Sequence, residues 1–179
     1  MTIDQLQFEA LRNAIYNASR KQWLNKVNRL LSFLIVASGA TAIADLGSRV
    51  FGYENGTVIA AALATLAATL QLVFDFGGRA AQHDYLQRRY YELLSTIVKE
   101  GANAEASPLE AKLISIYADE PAPLRALDAI ARNAAVEALG CDQSQRVRVT
   151  FWQTLWSQIC PFNDAEFPYV TTPAKQAAS

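Results

Sequence analysis

Two stretches of the chain carry no charged residue, and both approach the length of a membrane-spanning helix. The first covers residues 30–44 (LLSFLIVASGATAIA) and the second covers Gly56–Phe74 (GTVIAAALATLAATLQLVF). A spanning helix needs about 20 mostly apolar residues. Because two such adjacent blocks seldom share one small soluble core, the pattern predicts a transmembrane hairpin with helices at about 30–46 and 57–76. A soluble bundle with two buried helices is the alternative.

Apolar residues also recur at helical spacing on both sides of this hairpin. Phe8, Leu11 and Ile15 predict an amphipathic helix over about residues 4–28 that runs into the membrane. No proline follows the second block before Pro108. The second membrane helix is therefore predicted to continue into the cytoplasm as far as about residue 98, with a flexible joint at Gly77-Gly78. The N-terminal helix, the hairpin and this extension together form the first predicted region, residues 1–100.

The rest of the chain predicts a cytoplasmic helical part over residues 101–162 and a loose tail over residues 163–179. Ser107 and Glu110 form a capping-box pattern with Pro108 between them, so a helix is expected to start there and to end near Asp119. A second helix is expected to stop at Gly140. The predicted fold class is all-α: an N-terminal amphipathic helix, a two-transmembrane hairpin and a C-terminal cytoplasmic helical bundle.

A strongly aromatic stripe follows that bundle. Trp152, Leu155 and Trp156 fall at helical spacing, with Arg146 and Arg148 just before them. Such a stripe either caps the cytoplasmic bundle or lies in the inner interface of the bilayer, and the sequence leaves both interpretations open.

The basic residues lie outside the hairpin. Residues 1–29 hold five Lys or Arg against two acidic residues, whereas the connecting loop has only Arg49. By the positive-inside rule both termini are expected in the cytoplasm, which makes the protein multi-pass. The formal net charge of -1 argues against direct nucleic-acid binding through phosphate neutralisation. A charged leader of 29 residues is too long for a signal peptide, so no cleavage is expected.

Catalytic signatures are missing from the sequence. There is no Gly-rich phosphate loop and no Gly-x-Ser-x-Gly, and one histidine with two cysteines, Cys141 and Cys160, is too few for a zinc site or a disulfide framework. We expect no enzymatic activity, no metal and no cofactor. The neighbouring acids Asp119 and Glu120 are expected to end a helix and face solvent.

Two patterns in the second apolar block suggest function. Ala60, Ala64 and Ala68 recur every four residues with Thr65 beside them, and small residues let helices approach closely in lipid, so a homo-oligomer is expected. A polar line of residues four apart follows: Gln71, Asp75, Arg79 and His83. This line either marks the interface through an Asp75–Arg79 ion pair, or places Gln71 and Asp75 at the inner mouth of an oligomeric pore that favours cations.

The segments QLVFDFGGRAAQHDYLQRRYYELLSTI and IYADEPAPLRALDAIARN, together with the hairpin, resemble the SLATT family. The most distinctive part is the Phe74-Asp75-Phe76 corner followed by Arg88-Arg89-Tyr90-Tyr91, and the likeness extends over about residues 8–169. It implies a two-transmembrane effector of bacterial conflict systems that forms pores in the inner membrane and kills or arrests an infected cell. It also implies a sensor protein or a nucleotide second messenger as the trigger.

A second hypothesis belongs to a different class. The chain would be a non-conducting membrane anchor whose cytoplasmic helices recruit a partner protein, with Trp152 and Trp156 as the docking face.

Overall fold

The computed structural model describes residues 1–48, 56–101 and 104–170. Within these ranges, residues 41–48 and 56–57 are described by their backbone alone. The described chain is mostly helical and holds no β-strand, only an isolated antiparallel bridge between Val147 and Tyr169. The predicted all-α fold class is confirmed. Six helices follow one another: α1 (Ile3–Ser48), α2 (Gly56–Phe74), α3 (Phe76–Glu100), α4 (Ala106–Tyr117), α5 (Arg125–Ala138) and α6 (Phe151–Trp156).

The chain folds as two units. The terminal unit combines Met1–Arg20 with His83–Ser179, and the central unit is Lys21–Gln82. Both boundaries fall inside helices, the first in α1 and the second in α3. The terminal unit therefore draws its residues from two stretches that are far apart in the sequence.

The main core of the terminal unit is built by α1, α3 and α4. Residues spaced three or four apart on each helix meet there, because this spacing places them on one helical face. The buried side chains are Leu6, Ala10 and Ala14 from α1, Leu86, Tyr90, Leu93 and Ile97 from α3, and Leu109, Leu113 and Ile116 from α4.

A second, smaller cluster holds α5. Leu127 and Ala131 of α5 pack with Tyr16 of α1. The helix ends in a Schellman motif: the N–H of Cys141 bonds to the carbonyl of Val136 at 2.9 Å, and the N–H of Gly140 bonds to that of Glu137 at 3.2 Å. Gly140 has φ of +65°, a conformation that glycine adopts without steric cost, so the predicted stop at this residue is confirmed.

The start of α4 differs from the prediction. The helix begins at Ala106 with Glu105 at the N-cap, and the Glu105 side chain makes no capping hydrogen bond, so the predicted cap by Ser107 is wrong. Pro108 then occupies the third helical position. It is tolerated there because the first turn of a helix has no internal acceptor for that N–H in any case.

The helix predicted to run from the second apolar block into the cytoplasm is interrupted. α2 ends at Phe74, α3 begins at Phe76, and Asp75 between them has φ of +42°. The interruption lies two residues before the joint predicted at Gly77. Aspartate is one of the few non-glycine residues that tolerate this left-handed conformation.

Candidate functional site

Large apolar side chains of the central unit are exposed to its surroundings. Leu72 is 84% exposed, and Val36 of α1 is 71% exposed. The helical run Val58–Glu100 is the one stretch of the described residues that is long and apolar enough, by length and composition, to cross a membrane, and only 11% of its most apolar window is buried. The core helix of a soluble protein would instead be mostly buried. The apolar surface is thus available to lipid.

The predicted first span is described only in part. Its residues 30–40 include the exposed side chains of Leu30 and Phe33. The side chains of residues 41–46 lie outside the described part, as do the loop around Arg49 and residues 171–179 of the predicted tail. Two spans therefore stay a prediction.

The small residues of α2 divide into an inner and an outer row. Ala60 and Ala67 are buried inside the central unit and Ala64 is half-buried, whereas Thr65 and Ala68 are exposed. The Thr65 hydroxyl donates to the carbonyl of Ala61 at 2.8 Å, so this polar group is satisfied within its own helix. The outer row leaves a smooth surface on which another helix can pack.

Gln71, the first residue of the predicted polar line, ties α2 to α1. Its Nε2 donates to Oδ1 of Asn28 at 2.7 Å and to Oγ of Ser32 at 3.1 Å. Buried polar groups between helices stabilise such a pair because they would otherwise lie unsatisfied in an apolar environment. The Gln71 amide is therefore occupied inside the central unit.

Asp75 caps the helix that follows it. Its Oδ1 accepts a hydrogen bond from the N–H of Gly78 at 3.0 Å, the third residue of α3. The side chain is exposed, and in the described part of the chain it makes no ion pair with Arg79, which is also exposed. The carboxylate thus keeps one side open to solvent while it holds the corner.

His83, the fourth residue of the line, belongs to the core of the terminal unit. It is buried, its Nδ1 lies 2.6 Å from Oδ1 of Asn17, and its ring contacts that of Tyr16 edge-on with centroids 6.3 Å apart. The four residues therefore have separate local roles: a tie between helices, a cap, an exposed cation and a core residue.

A polar cluster surrounds His83, formed by Asn13, Asn17, His83, Tyr117 and Glu120; Asn13, Asn17 and His83 are buried, Glu120 is half-buried and Tyr117 is exposed. Nδ2 of Asn17 donates to Oε1 of Glu120 at 2.8 Å and to the carbonyl of Asn13 at 2.9 Å. Nδ2 of Asn13 donates to the hydroxyl of Tyr117 at 3.3 Å. Because these groups lie on α1, α3, α4 and the turn after α4, the cluster joins segments that are far apart in the sequence.

Glu120 is the titratable centre of this polar cluster. Burial raises the pKa of its carboxyl above the ordinary value, and the hydrogen bond from Asn17 opposes that rise. Burial, together with the neighbouring Glu120 carboxylate, also raises the pKa of Tyr90. Glu120 was expected to face solvent and is half-buried, whereas Asp119 beside it is exposed as expected and pairs with Arg89.

Sequence reasoning missed the polar cluster, although α1 carries a signal for it. Asn13 and Asn17 lie on the same helical face as the buried Leu6, Ala10 and Ala14. Amides on an apolar face are rarely buried unless they find partners. Two of them one turn apart therefore indicate a satisfied polar network in the core.

The aromatic stripe near the C-terminal end lies on the surface of the terminal unit. Trp152 is 66% exposed and Trp156 is 44% exposed, and Phe151 stacks edge-on against Trp152 with centroids 5.6 Å apart. α6 is fixed by a capping box in which Thr150 and Gln153 bond reciprocally. The exposed rings are thus held by an ordered turn.

The functional interpretation of this chain rests on the geometry of the central unit, the polar cluster and α6. The likeness to the SLATT family, drawn from the sequence, stays a prediction. No family model, no curated protein and no solved structure matches the chain.

Proposed function

We propose that the chain is a membrane effector that inserts as a two-helix hairpin in the bacterial inner membrane, assembles into a homo-oligomer and permeabilises that membrane. The observation that carries the proposal is the exposed apolar surface of α2 and of the adjoining part of α1. Burying one large apolar side chain is worth about 1.5–3 kcal/mol. A surface with so many of them is unfavourable in water and favourable in lipid.

Assembly is supported by the outer row of small residues on α2. Between helices in lipid there is no hydrophobic driving force, so association depends on close packing and on satisfied polar groups. Ala68 and Thr65 are exposed and small, and Thr65 has its hydroxyl bonded to its own helix. A second copy of the hairpin can therefore approach α2 closely at this row.

Permeation is attributed to the polar end of α2. Asp75 lies directly after the last residue of α2 with its carboxylate exposed, and a ring of carboxylates from several copies favours cations. Arg79, one turn later and also exposed, supplies a positive charge that opposes this selectivity in the resting state.

The trigger and the biological setting rest on the resemblance to the SLATT family. A sensor protein or a nucleotide second messenger would release the resting assembly, and the loss of membrane integrity would arrest the infected cell as in abortive infection. Both termini would lie in the cytoplasm, where such a signal is made.

The central experiment follows membrane potential as the protein is expressed at increasing dose. We expect depolarisation that rises with dose in the presence of the trigger. Full polarisation despite confirmed membrane assembly and the triggering partner would contradict the proposal. Topology is tested in parallel with Asn55→Cys, which should react with an impermeant thiol reagent added from outside, whereas Asp4→Cys, at an exposed position near the N-terminus, should not.

The exposure of Trp152 and Trp156 favours one second candidate, the non-conducting anchor that recruits a partner protein. In that case Trp152→Ala and Trp156→Ala abolish capture of the partner, and the wild-type chain conducts no ions at any dose. Alkaline carbonate extraction separates both candidates from a soluble bundle, because a spanning protein stays in the membrane fraction.

A further inference from the structure

Helix α6 has the opposite amphipathic arrangement from an ordinary surface helix. Its four large apolar residues, Phe151, Trp152, Leu155 and Trp156, lie within about 140° of arc at 3.6 residues per turn. All four are exposed, between 44% and 72%. A helix on the surface of a soluble domain normally turns this face toward the core.

The residues of this segment that pack against the protein are polar, although Thr154 of α6 is exposed. Ser157 is the one buried residue of this region at 4% exposure, and Gln153 is half-buried. The chain beyond the helix is held by Arg20 of α1, whose Nη1 donates to the carbonyl of Gln158 at 2.7 Å and to its Oε1 at 3.1 Å. Polar contacts therefore attach α6 to the terminal unit and leave its apolar face outward.

The exposed face is carried by a hydrogen-bonded turn. The capping box fixes the first turn, and the N–H of Cys160 bonds to the carbonyl of Trp156 at 2.9 Å, which continues the turn past the end of α6. Ile159, 57% exposed, extends the apolar face. A contiguous exposed apolar face of this kind indicates contact with another surface.

The charged residues near α6 in the sequence indicate that this other surface is a lipid bilayer. Between Asp142 and Asp164 the chain carries two arginines, Arg146 and Arg148, and no acidic residue. Tryptophan rings with basic neighbours are typical of a helix that lies in the headgroup region of a bilayer, where the rings have an apolar body and a polar N–H. The cytoplasmic leaflet is rich in anionic lipids, which attract arginine.

We propose that α6 is a monotopic contact with the membrane, in which the aromatic face (Phe151, Trp152, Leu155, Trp156 and Ile159) lies in the headgroup layer of an anionic leaflet. The proposal rests on the membrane association in the proposed function, but not on permeation. It gives the terminal unit a lipid contact of its own, in addition to the hairpin. A partner protein on this face is the competing outcome.

The test uses tryptophan fluorescence of the full chain in vesicles of phosphatidylethanolamine and phosphatidylglycerol. The chain has three tryptophans, so Trp23→Phe leaves only the two of α6. We expect a blue-shifted emission that is quenched by lipids brominated near the headgroup and is protected from aqueous iodide. The double variant Trp152→Phe/Trp156→Phe, with Trp23 retained, gives the signal to be subtracted should Trp23→Phe disturb folding.

Charge is tested with Arg146→Gln/Arg148→Gln, which should increase quenching by acrylamide, as should replacing phosphatidylglycerol with phosphatidylcholine. Acrylamide is used for this comparison because it is neutral, so its concentration at the surface does not change with the charge of the lipid or of the protein. Arg88→Gln, which removes an exposed arginine of α3 whose partner is Asp84 one turn away on the same helix, is the matched control and should leave quenching unchanged. Red-shifted emission that iodide quenches fully, with or without a protein partner, overturns the proposal.

Ion flux in the same vesicles separates the two proposals. Shielded tryptophans without flux uphold the lipid contact and count against permeation. Flux with tryptophans open to iodide upholds permeation and overturns the lipid contact.

Discussion

Gly78 lies so close to the Asp75 carboxylate that a Cβ added to it would stand 2.8 Å from Cγ of Asp75. At the neighbouring Gly77 the nearest atom to such a Cβ is Nδ2 of Asn28, at an ordinary contact distance of 3.7 Å. An alanine at Gly78 would thus require the Asp75 side chain to move, whereas an alanine at Gly77 is accommodated without a shift.

Gly78→Ala should therefore displace the Asp75 side chain and break its hydrogen bond to the backbone, a loss of about 1 kcal/mol for a helix cap. Gly77→Ala should be neutral or stabilising by up to about 1 kcal/mol, since alanine favours the helix. Thermal unfolding in detergent measures both. In an Asp75→Ala background the two substitutions should become equivalent, and a persistent difference there would show that the carboxylate is not the cause.

This corner also shows what the sequence could not predict. The N–H of Asp75 still bonds to the carbonyl of Gln71, and the N–H of Arg79 to that of Asp75, at 3.1 and 3.0 Å. Helical spacing therefore continues on both sides of the break, and a prediction based on periodicity has no signal for the positive φ at Asp75. By contrast, the end of α5 at Gly140 was predictable because glycine and the end of an apolar stripe coincide there.

Asp75→Asn separates the charge of this residue from its role as a cap. Asparagine caps helices as well as aspartate does, so the corner and membrane insertion should persist. Cation selectivity should fall in planar-bilayer recordings, because the ring of carboxylates is lost. Arg79→Ala should increase leak. Unchanged selectivity and leak in both variants, at matched expression, would leave these residues without a part in permeation.

Substitutions at the adjacent residues Ala67 and Ala68 test the two rows of small residues on α2 separately. Ala67 is 3% exposed inside the central unit, so Ala67→Leu should disturb the packing of the hairpin itself. Ala68→Leu, on the exposed row, should leave the fold intact and weaken the oligomer, as should Ala64→Leu at the margin between the rows. Cross-linking in membranes gives the oligomeric state. Loss of insertion with Ala68→Leu would mean that the exposed row does not serve assembly.

The half-buried carboxyl of Glu120 should make the terminal unit less stable as pH rises. Its pKa is raised above the ordinary 4.5, so between these two values the folded state keeps a proton that the unfolded chain has released. The free energy of unfolding is therefore highest below this window and falls as pH rises through it. Glu120→Gln keeps an oxygen for Asn17 and removes the titration.

The difference in stability between Glu120→Gln and the wild type should accordingly grow with pH across that window, in favour of the variant. Denaturant unfolding at a series of pH values measures it. Taking the difference between the two proteins cancels the contributions of Asp128, Arg12 and Tyr90 to the pH dependence of stability, because these groups surround the same side chain in both. Glu137→Gln, at an exposed position, is the control and should leave the curve unshifted. Parallel curves for Glu120→Gln and the wild type would refute the assignment.

The candidate site, like the fold, has parts that the sequence predicts and parts that it does not. The exposed apolar residues of α2 could be predicted because absence of charge over 19 residues is a property of the sequence alone. The polar cluster could not, since the Asn17 amide finds His83 and Glu120 only after three distant segments have met. The sequence places Glu120 next to the exposed Asp119, and no local pattern separates their environments.

Because the terminal unit is made of two stretches on either side of Lys21–Gln82, the order of synthesis matters. Leu6, Ala10 and Ala14 leave the ribosome long before Leu109 and Ile116, against which they pack. The central unit is therefore complete while the first stretch is still without its partners. Nascent chains stalled before residue 109 should accordingly leave residues 3–20 open to protease, and chains stalled beyond residue 170 should protect them. Translation thus completes the central unit before the terminal unit can close.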